Sequence, residues 1–418
     1  MTVDVKIISK ETIKPSSPTP EHLRNLKLSI LDQMAPPIYV PLIFFYQFDE
    51  LCFNMVGRAN KSQLLKQSLS DILTMFYPLA GRIQENSFID CNDSGVELVE
   101  ARVHARLSDV ISEPNMAELK KLLAVNPIGI GIDTLLAVQI NFFDCGGIAI
   151  GVCLSHKIAD GTSLVEFVNA WAATCRGEVK IGQPFFDLAR TFPPRDLSGS
   201  SFTPNIGMTK EKIVTKRFVF DNEKLAVLKE FAGDGSQLRN PTRVEAVSAF
   251  IWKKFMEVMK NKVHDKKMFA AVHAVNLRPR VSPPLSEKAF GNCWRPTIAF
   301  LSPSKDDNNK CSDLVPVLRS AIRKINGDFI KQVQDGEYLN QLCKSVDIFL
   351  KGDIEHYNFS SWCRFPVYEV DYGWGRPCWV CTTTLPFKNV VILMSTPCGN
   401  GIEAWVNLLE EDISAFKL

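Results

Sequence analysis

The chain has 418 residues, 46% hydrophobic and 22% charged, with 48 Lys and Arg against 46 Asp and Glu for a formal charge of +2. At roughly 150 residues per domain this is a globular chain of two or three domains, and it excludes a disordered or low-complexity polymer because enough apolar material is present to offset ordering entropy. The near-neutral balance supplies no global field to gather nucleic acid or an anionic membrane surface, although a local basic cluster can still hold a small anion.

Twelve cysteines are too sparse for a disulfide scaffold in a chain of this length. The first twenty residues carry no apolar signal region, and no run of about 18 apolar residues occurs. The expectation is a cytoplasmic protein with reduced thiols and no membrane span. Cys378 and Cys381 form a lone C-x-x-C in a strand-like stretch, so no metal or redox use is expected of them.

The elements alternate along the chain. Pro15 to Pro20 is an extended lead-in. Leu64, Leu65, Leu69, Ile72, Leu73 and Phe76 form a helical stripe over 61–76. Residues 135–143 and 148–154 read as strands around the turn Asp144-Cys-Gly-Gly147, a hairpin. Leu164, Phe167, Val168, Trp171, Ala172 and Cys175 mark an amphipathic helix that Gly177 ends. The stretch from Phe192-Pro-Pro through Ser198-Gly-Ser-Ser201 to Pro204 reads as a linker. The expected division is therefore a first domain over 1–185, a crossover over 186–215 and a second domain over 216–418.

In the second half, 216–220, 268–275, 378–384 and 390–394 are strand-like, 404–406 is a further short strand, and Val244 to Val258 is helical. Pro283-Pro284 lies in a loop before Phe290-Gly-Asn292. The fold class is α/β, two similar-sized domains each with a mixed sheet and helices.

The stretch richest in chemistry is Ser155-His-Lys-Ile-Ala-Asp-Gly-Thr162. His156 leaves an apolar strand, where a rigid element steadies the ring while its tip stays reachable, and imidazole accepts a proton near neutral pH. Taken alone, His156 could equally be a satisfied packing residue, and Asp160 could simply cap the following helix. Cys153 reads as packing. A second unusual segment, Asp371-Tyr-Gly-Trp-Gly375, needs its two glycines for a tight backbone; Asp371 there could serve only to pair with an arginine.

Together, His156-Lys-Ile-Ala-Asp160 and Asp371-Tyr-Gly-Trp-Gly375 resemble the two hallmarks of the plant BAHD acyltransferase family, H-x-x-x-D and D-F-G-W-G, with Tyr372 replacing the usual Phe. Pro18-Thr-Pro20, Leu28-Ser-Ile-Leu-Asp32, Tyr77-Pro-Leu-Ala-Gly-Arg82 and Phe290-Gly-Asn292 extend the similarity almost end to end. Asp90-Cys-Asn-Asp-Ser-Gly95, 169–177 and 274–278 resemble the vinorine synthase-like group, which mostly uses acetyl-CoA on alkaloid or terpenoid alcohols.

The resemblance implies a chloramphenicol acetyltransferase-like fold of two domains joined by a long crossover, with a solvent channel between them and His156 at its midpoint. It implies His156 as general base, with activity depending on Asp371. Asp160 would be a structural carboxylate paired with Arg278, and Gly373, Trp374 and Gly375 would support the site. Ser360 and Trp362 are candidates facing the reacting centre. The co-substrate would be acetyl-CoA or another acyl-CoA, with no permanently bound cofactor or metal.

For the phosphates of CoA the candidates are Thr242 and Arg243 at a helix start and the lysine cluster of Lys253, Lys254, Lys260, Lys262, Lys266 and Lys267, which otherwise reads as a solvated helix face. The partners would be an alcohol acceptor and the acyl donor, the state a monomer. N-acylation of an amine and a non-catalytic metabolite-binding role are the alternatives. A hydrolase is disfavoured because no G-x-S-x-G elbow is present.

Overall fold

The computed structural model describes residues 2–47, 58–128, 133–197, 208–209, 211–233, 240–260, 268–301, 310–339, 342 and 354–417. Two units emerge. The first comprises Met1–Pro194, Ser286–Cys293 and Phe365–Thr383, and the second Arg195–Leu285, Trp294–Arg364 and Thr384–Leu418.

The strands of the first unit are β1 (Asp4–Ile13), β2 (Asn25–Lys27), β3 (Tyr39–Tyr46), β4 (Arg82–Gln84), β5 (Phe88–Asp90), β6 (Val96–His104), β7 (Leu136–Phe143) and β8 (Ile148–Ser155). The second unit has β9 (Ile213–Phe220), β10 (Met268–Asn276), β11 (Trp294–Leu301), β12 (Ile354–Ser361), β14 (Val390–Ser395) and β15 (Ile402–Leu409). The remaining strand, β13 (Trp379–Cys381), returns to the first unit. The longer helices are α1 (Arg58–Met75), α2 (Gly161–Cys175), α3 (Asn222–Gly233), α4 (Arg243–Lys260), α5 (Cys311–Arg323) and α6 (Gly327–Asp335).

The first unit is built on a six-stranded sheet of order β1-β6-β7-β8-β3-β13, with a small sheet β2-β5-β4 beside it. Only β6 and β7 run parallel in the large sheet. Every residue of β3, β7 and β8 is buried, which is why these strands read as continuous apolar runs without a polar face. Within β8, a side chain at Gly151 would bring its Cβ to 2.2 Å from the Leu122 carbonyl oxygen; glycine lets the 119–123 segment approach the sheet. Helix α2 buries Leu164, Phe167, Val168 and Trp171 completely, as its spacing predicts.

The second unit has its own six-stranded mixed sheet, β11-β10-β12-β14-β15-β9, with β12 parallel to both β10 and β14. Its core gathers Trp252, Phe255, Leu314, Tyr357, Val391 and Phe416, with Phe255 stacked on Tyr357 at 4.4 Å. The chain therefore has the expected α/β architecture of two sheet-bearing units.

The units do not follow the continuous blocks 1–185 and 216–418. The segment carrying Asp371 to Gly375 belongs to the first unit, because β13 pairs antiparallel with β3 from Trp379 opposite Phe45 to Cys381 opposite Ile43. The 286–293 segment joins it through a bridge between Phe185 and Ala289. In the expected crossover, 198–207 and 210 lie outside the described residues. Among the described residues, no helix is long and apolar enough to cross a membrane.

Candidate active site

Strand β8 is bonded on both sides, by β7 and by β3, so its end is a fixed point of the first sheet. His156 leaves that end with its backbone N–H donated to the Ile38 carbonyl at 2.8 Å. Its ring is half-buried, and Nδ1 lies 3.0 Å from the Ala159 carbonyl oxygen. A carbonyl can only accept, so Nδ1 carries the proton and the lone pair of the neutral ring sits on Nε2. Desolvation of the charged ring holds the His156 pKa below the ordinary imidazole value; the Asp160 carboxylate opposes that shift without cancelling it. The ring is thus neutral and basic at cellular pH.

Asp160 does what its position before a helix suggests, and more. One carboxylate oxygen caps α2 by accepting the Ser163 N–H at 2.9 Å. The other accepts the Cys293 N–H at 3.0 Å. Ser163 adds a reciprocal pair, its hydroxyl donating to the Gly291 carbonyl and accepting the Gly291 N–H, both at 3.0 Å. The 291–293 segment is therefore stitched along the start of α2.

Three residues with no individual role in the sequence reading also converge on this loop. Asn292 donates through Nδ2 to the His156 carbonyl at 2.7 Å and to Asp32 Oδ1 at 3.0 Å. Lys157 is buried, and its ammonium reaches the carbonyls of Asp32, Gln33 and Ala35 at 2.9 to 3.1 Å. Asp32 and Asn292 were visible only as members of family-like strings. The usable signal was the S-x-x-D capping box at Ser29 and Asp32, which places a short helix there.

Asp371, expected with His156 as a group on which activity depends, sits elsewhere in the unit. Its Oδ1 accepts the backbone N–H groups of Gly373 at 2.8 Å and Gly375 at 3.0 Å. Its carbonyl accepts a hydrogen bond from Arg176, the residue that closes α2. Helix α2 has 15 residues and is about 22 Å long, so Asp371 and the His156 loop flank its opposite ends. The Asp371 carboxylate thus folds its own loop, through the two glycine N–H groups.

The glycines are required at that loop, with φ of +104° at Gly373 and +99° at Gly375. Trp374 stacks on Tyr372 at 5.6 Å, and Lys61 lies 5.3 Å from the Trp374 ring centre. Tyr372 is buried edge-on to Trp171 at 5.0 Å, so α2 and this loop share one aromatic cluster.

The remaining candidates belong to the second unit. The Trp362 indole N–H donates to Ser360 Oγ at 3.0 Å, which brings those two together at the end of β12. Arg278 is fully buried and bonds Asn276 Oδ1 through its N–H at 3.0 Å and its guanidinium at 3.4 Å. Thr242 and Glu245 form a reciprocal cap at the start of α4, and Arg243 donates to the Gly399 carbonyl at 2.8 Å. Lys253 and Lys254 both pair with Glu257 on their own helix, at 3.9 and 2.9 Å. The side chain of Lys260 and residues 261–267 lie outside the described residues. Among the described residues, no group of three His, Cys, Asp or Glu could hold a metal ion.

The sequence profile of the Transferase family matches residues 3–418. The chain is 45% identical to stemmadenine O-acetyltransferase of Catharanthus roseus and 44% identical to vinorine synthase of Rauvolfia serpentina, each over 424 aligned residues covering 99% of this chain and 96% of the relative. The crystal structure of vinorine synthase superposes with a TM-score of 0.84 at 41% identity, covering 99% of this chain and 97% of that one. The chain belongs to the Transferase (BAHD) family of acyltransferases.

Proposed function

We propose that this protein moves an acetyl group from acetyl-CoA to a hydroxyl of a plant specialised metabolite, with His156 as general base. The observation that carries the reading is the Nδ1 contact to the Ala159 carbonyl at 3.0 Å, which leaves the basic electron pair of the ring on Nε2. An alcohol is a poor nucleophile at neutral pH. Nε2 takes its proton as the oxygen attacks the thioester carbonyl, a contribution of about 10²–10⁴-fold. The tetrahedral oxyanion collapses, the C–S bond breaks, and the imidazolium returns the proton to the CoA thiolate. Both substrates are bound together, so no acyl-enzyme forms and orientation lowers the barrier further. Ser360, whose oxygen accepts the Trp362 indole N–H, keeps its own O–H to donate and is the candidate for the oxyanion.

Asp160 is assigned the support of the histidine loop, and Asp371 the folding of its own loop. The start of α4, with Thr242 and Arg243, and the Lys253 and Lys254 face are assigned to the phosphates of CoA. The ten described cysteines are all free, in keeping with a reducing compartment such as the cytosol, where the protein would act as a monomer.

The acceptor class follows from the relatives. Their names include stemmadenine O-acetyltransferase and a limonoid 1-O-acetyltransferase of Citrus sinensis, at 45% and 37% identity, so an alkaloid or triterpenoid alcohol is assigned. The test is mass spectrometry of acetyl-CoA incubated with a panel of such alcohols and matched amines. An ester 42 Da heavier than the alcohol, lost in His156→Ala, is expected; esters formed undiminished by His156→Ala would overturn the mechanism, and acetylation confined to the amines would overturn the acceptor class.

A further inference from the structure

We propose that Asp32 and Asn292 are positioning residues for His156, a carboxylate and an amide acting in series on the peptide that carries the ring. The inference rests on the acyl-transfer reading only for its consequence in turnover; the geometry stands by itself.

The two oxygens of Asp32 have separate tasks. Oδ2 closes the cap of the 30–33 helix by accepting both the N–H and the O–H of Ser29. Oδ1 makes no contribution to that cap. It accepts the backbone N–H of Asn292 at 2.8 Å and one proton of its Nδ2 at 3.0 Å. The second Nδ2 proton goes to the His156 carbonyl at 2.7 Å. Asn292 is fully buried and Asp32 is 5% exposed, so water does not replace these bonds.

The arrangement permits only one amide orientation. A flipped Asn292 would set its own carbonyl oxygen against a carboxylate and a carbonyl, three acceptors with no proton between them. Asp32 therefore selects the orientation that lets Asn292 grip His156. With its N–H held by Ile38 and its carbonyl held by Asn292, His156 has its backbone fixed on both sides of the side chain. The same residue opens the turn that brings the Ala159 carbonyl onto Nδ1, so slack in its peptide passes to the ring. Lys157, bonded to the carbonyls of Asp32, Gln33 and Ala35, ties the next residue to the same segment. The charged group acting on the ring itself is Asp160; Asp32 and Lys157 engage main-chain and amide groups of the loop.

The experiment reads the ring directly. The chain has six histidines, so ring-¹³C-labelled protein gives a spectrum in which His156→Ala assigns the His156 signal. The Asn292 side chain favours the charged ring, so in Asn292→Ala the ring titration should move further down from the ordinary imidazole value. Thiol release from acetyl-CoA with the best alcohol of the panel should fall by about ten-fold or more, since misplacement of about 1 Å can cost 10²-fold. The loss should fall mainly on kcat, with the KM for acetyl-CoA changing by less than about two-fold, as for an interaction made in the transition state.

Ser29→Ala is the control. It weakens the same helix cap through Oδ2 and should lower the melting temperature while leaving ring titration and turnover in place. Asp32→Asn, nearly isosteric, is read in the same way and decides the matter if Asn292→Ala is not recovered folded. An Asn292→Ala ring that titrates and turns over as in the wild type would overturn the proposal, as would a Ser29→Ala shift as large as that of Asn292→Ala. Activity surviving His156→Ala would instead overturn the acyl-transfer mechanism and leave the ring titration to judge this inference alone.

Discussion

Replacing Asp160 by alanine separates architecture from chemistry. The carboxylate is 5% exposed and holds two backbone donors, Ser163 N–H at 2.9 Å and Cys293 N–H at 3.0 Å. Loss of a helix cap costs about 0.5–2 kcal/mol. Leaving a buried N–H without its acceptor costs about 1–3 kcal/mol. Together the expected destabilisation is about 2–5 kcal/mol, read as a lower urea midpoint. Asp160→Asn keeps one acceptor oxygen and should lose roughly half as much. The two variants also make a signed prediction for His156. Asp160 favours the imidazolium, so its removal should move the ring titration further down. An Asp160→Ala protein with the wild-type urea midpoint and ring titration, yet inactive, would refute the assignment and make Asp160 a participant in the chemical step.

Tyr372 is buried and its hydroxyl has no hydrogen-bond partner among the described residues, so Tyr372→Phe should raise stability by about 1–3 kcal/mol, measured as an increased melting temperature with kcat unchanged. Gly375→Ala forces a side chain to φ +99° and should cost about 1–3 kcal/mol, checked by the same melt. His273 is stacked on Phe359 at 4.9 Å, its Nε2 has no hydrogen-bond partner among the described residues, and burial lowers its pKa to about 4. The unfolded chain then binds the proton first, so stability should fall by roughly 3 kcal/mol as pH drops from about 6.5 to 4, and His273→Leu should flatten that loss in urea titrations across the range.

Much of the chain could be read without coordinates because its signals are local. The hairpin of β7 and β8, the amphipathic α2 and the strand-exit position of His156 follow from periodicity, turn residues and their order. The capping reading of Asp160 holds, since one oxygen accepts the Ser163 N–H, while the other accepts the Cys293 N–H, which the sequence did not indicate. The loop of Asp371 showed its need for glycine at Gly373 and Gly375, and its positive φ values supply the reason. The reaction class came from two short motifs in combination, each too common alone to carry it.

What stayed hidden depends on pairing between segments far apart in the chain. Nothing local in Phe290-Gly-Asn292 says that its amide reaches His156, 136 positions away, or that Asp32 lies across from it, 260 positions away. Nor does a boundary drawn at a proline-rich stretch reveal that β13 crosses back to pair with β3. A sequence determines which residues want strand, helix, cap or turn, because those preferences are set within a few bonds. Which distant carbonyl meets which buried amide is decided only when the sheets close, since each such polar group must find a partner once water is gone.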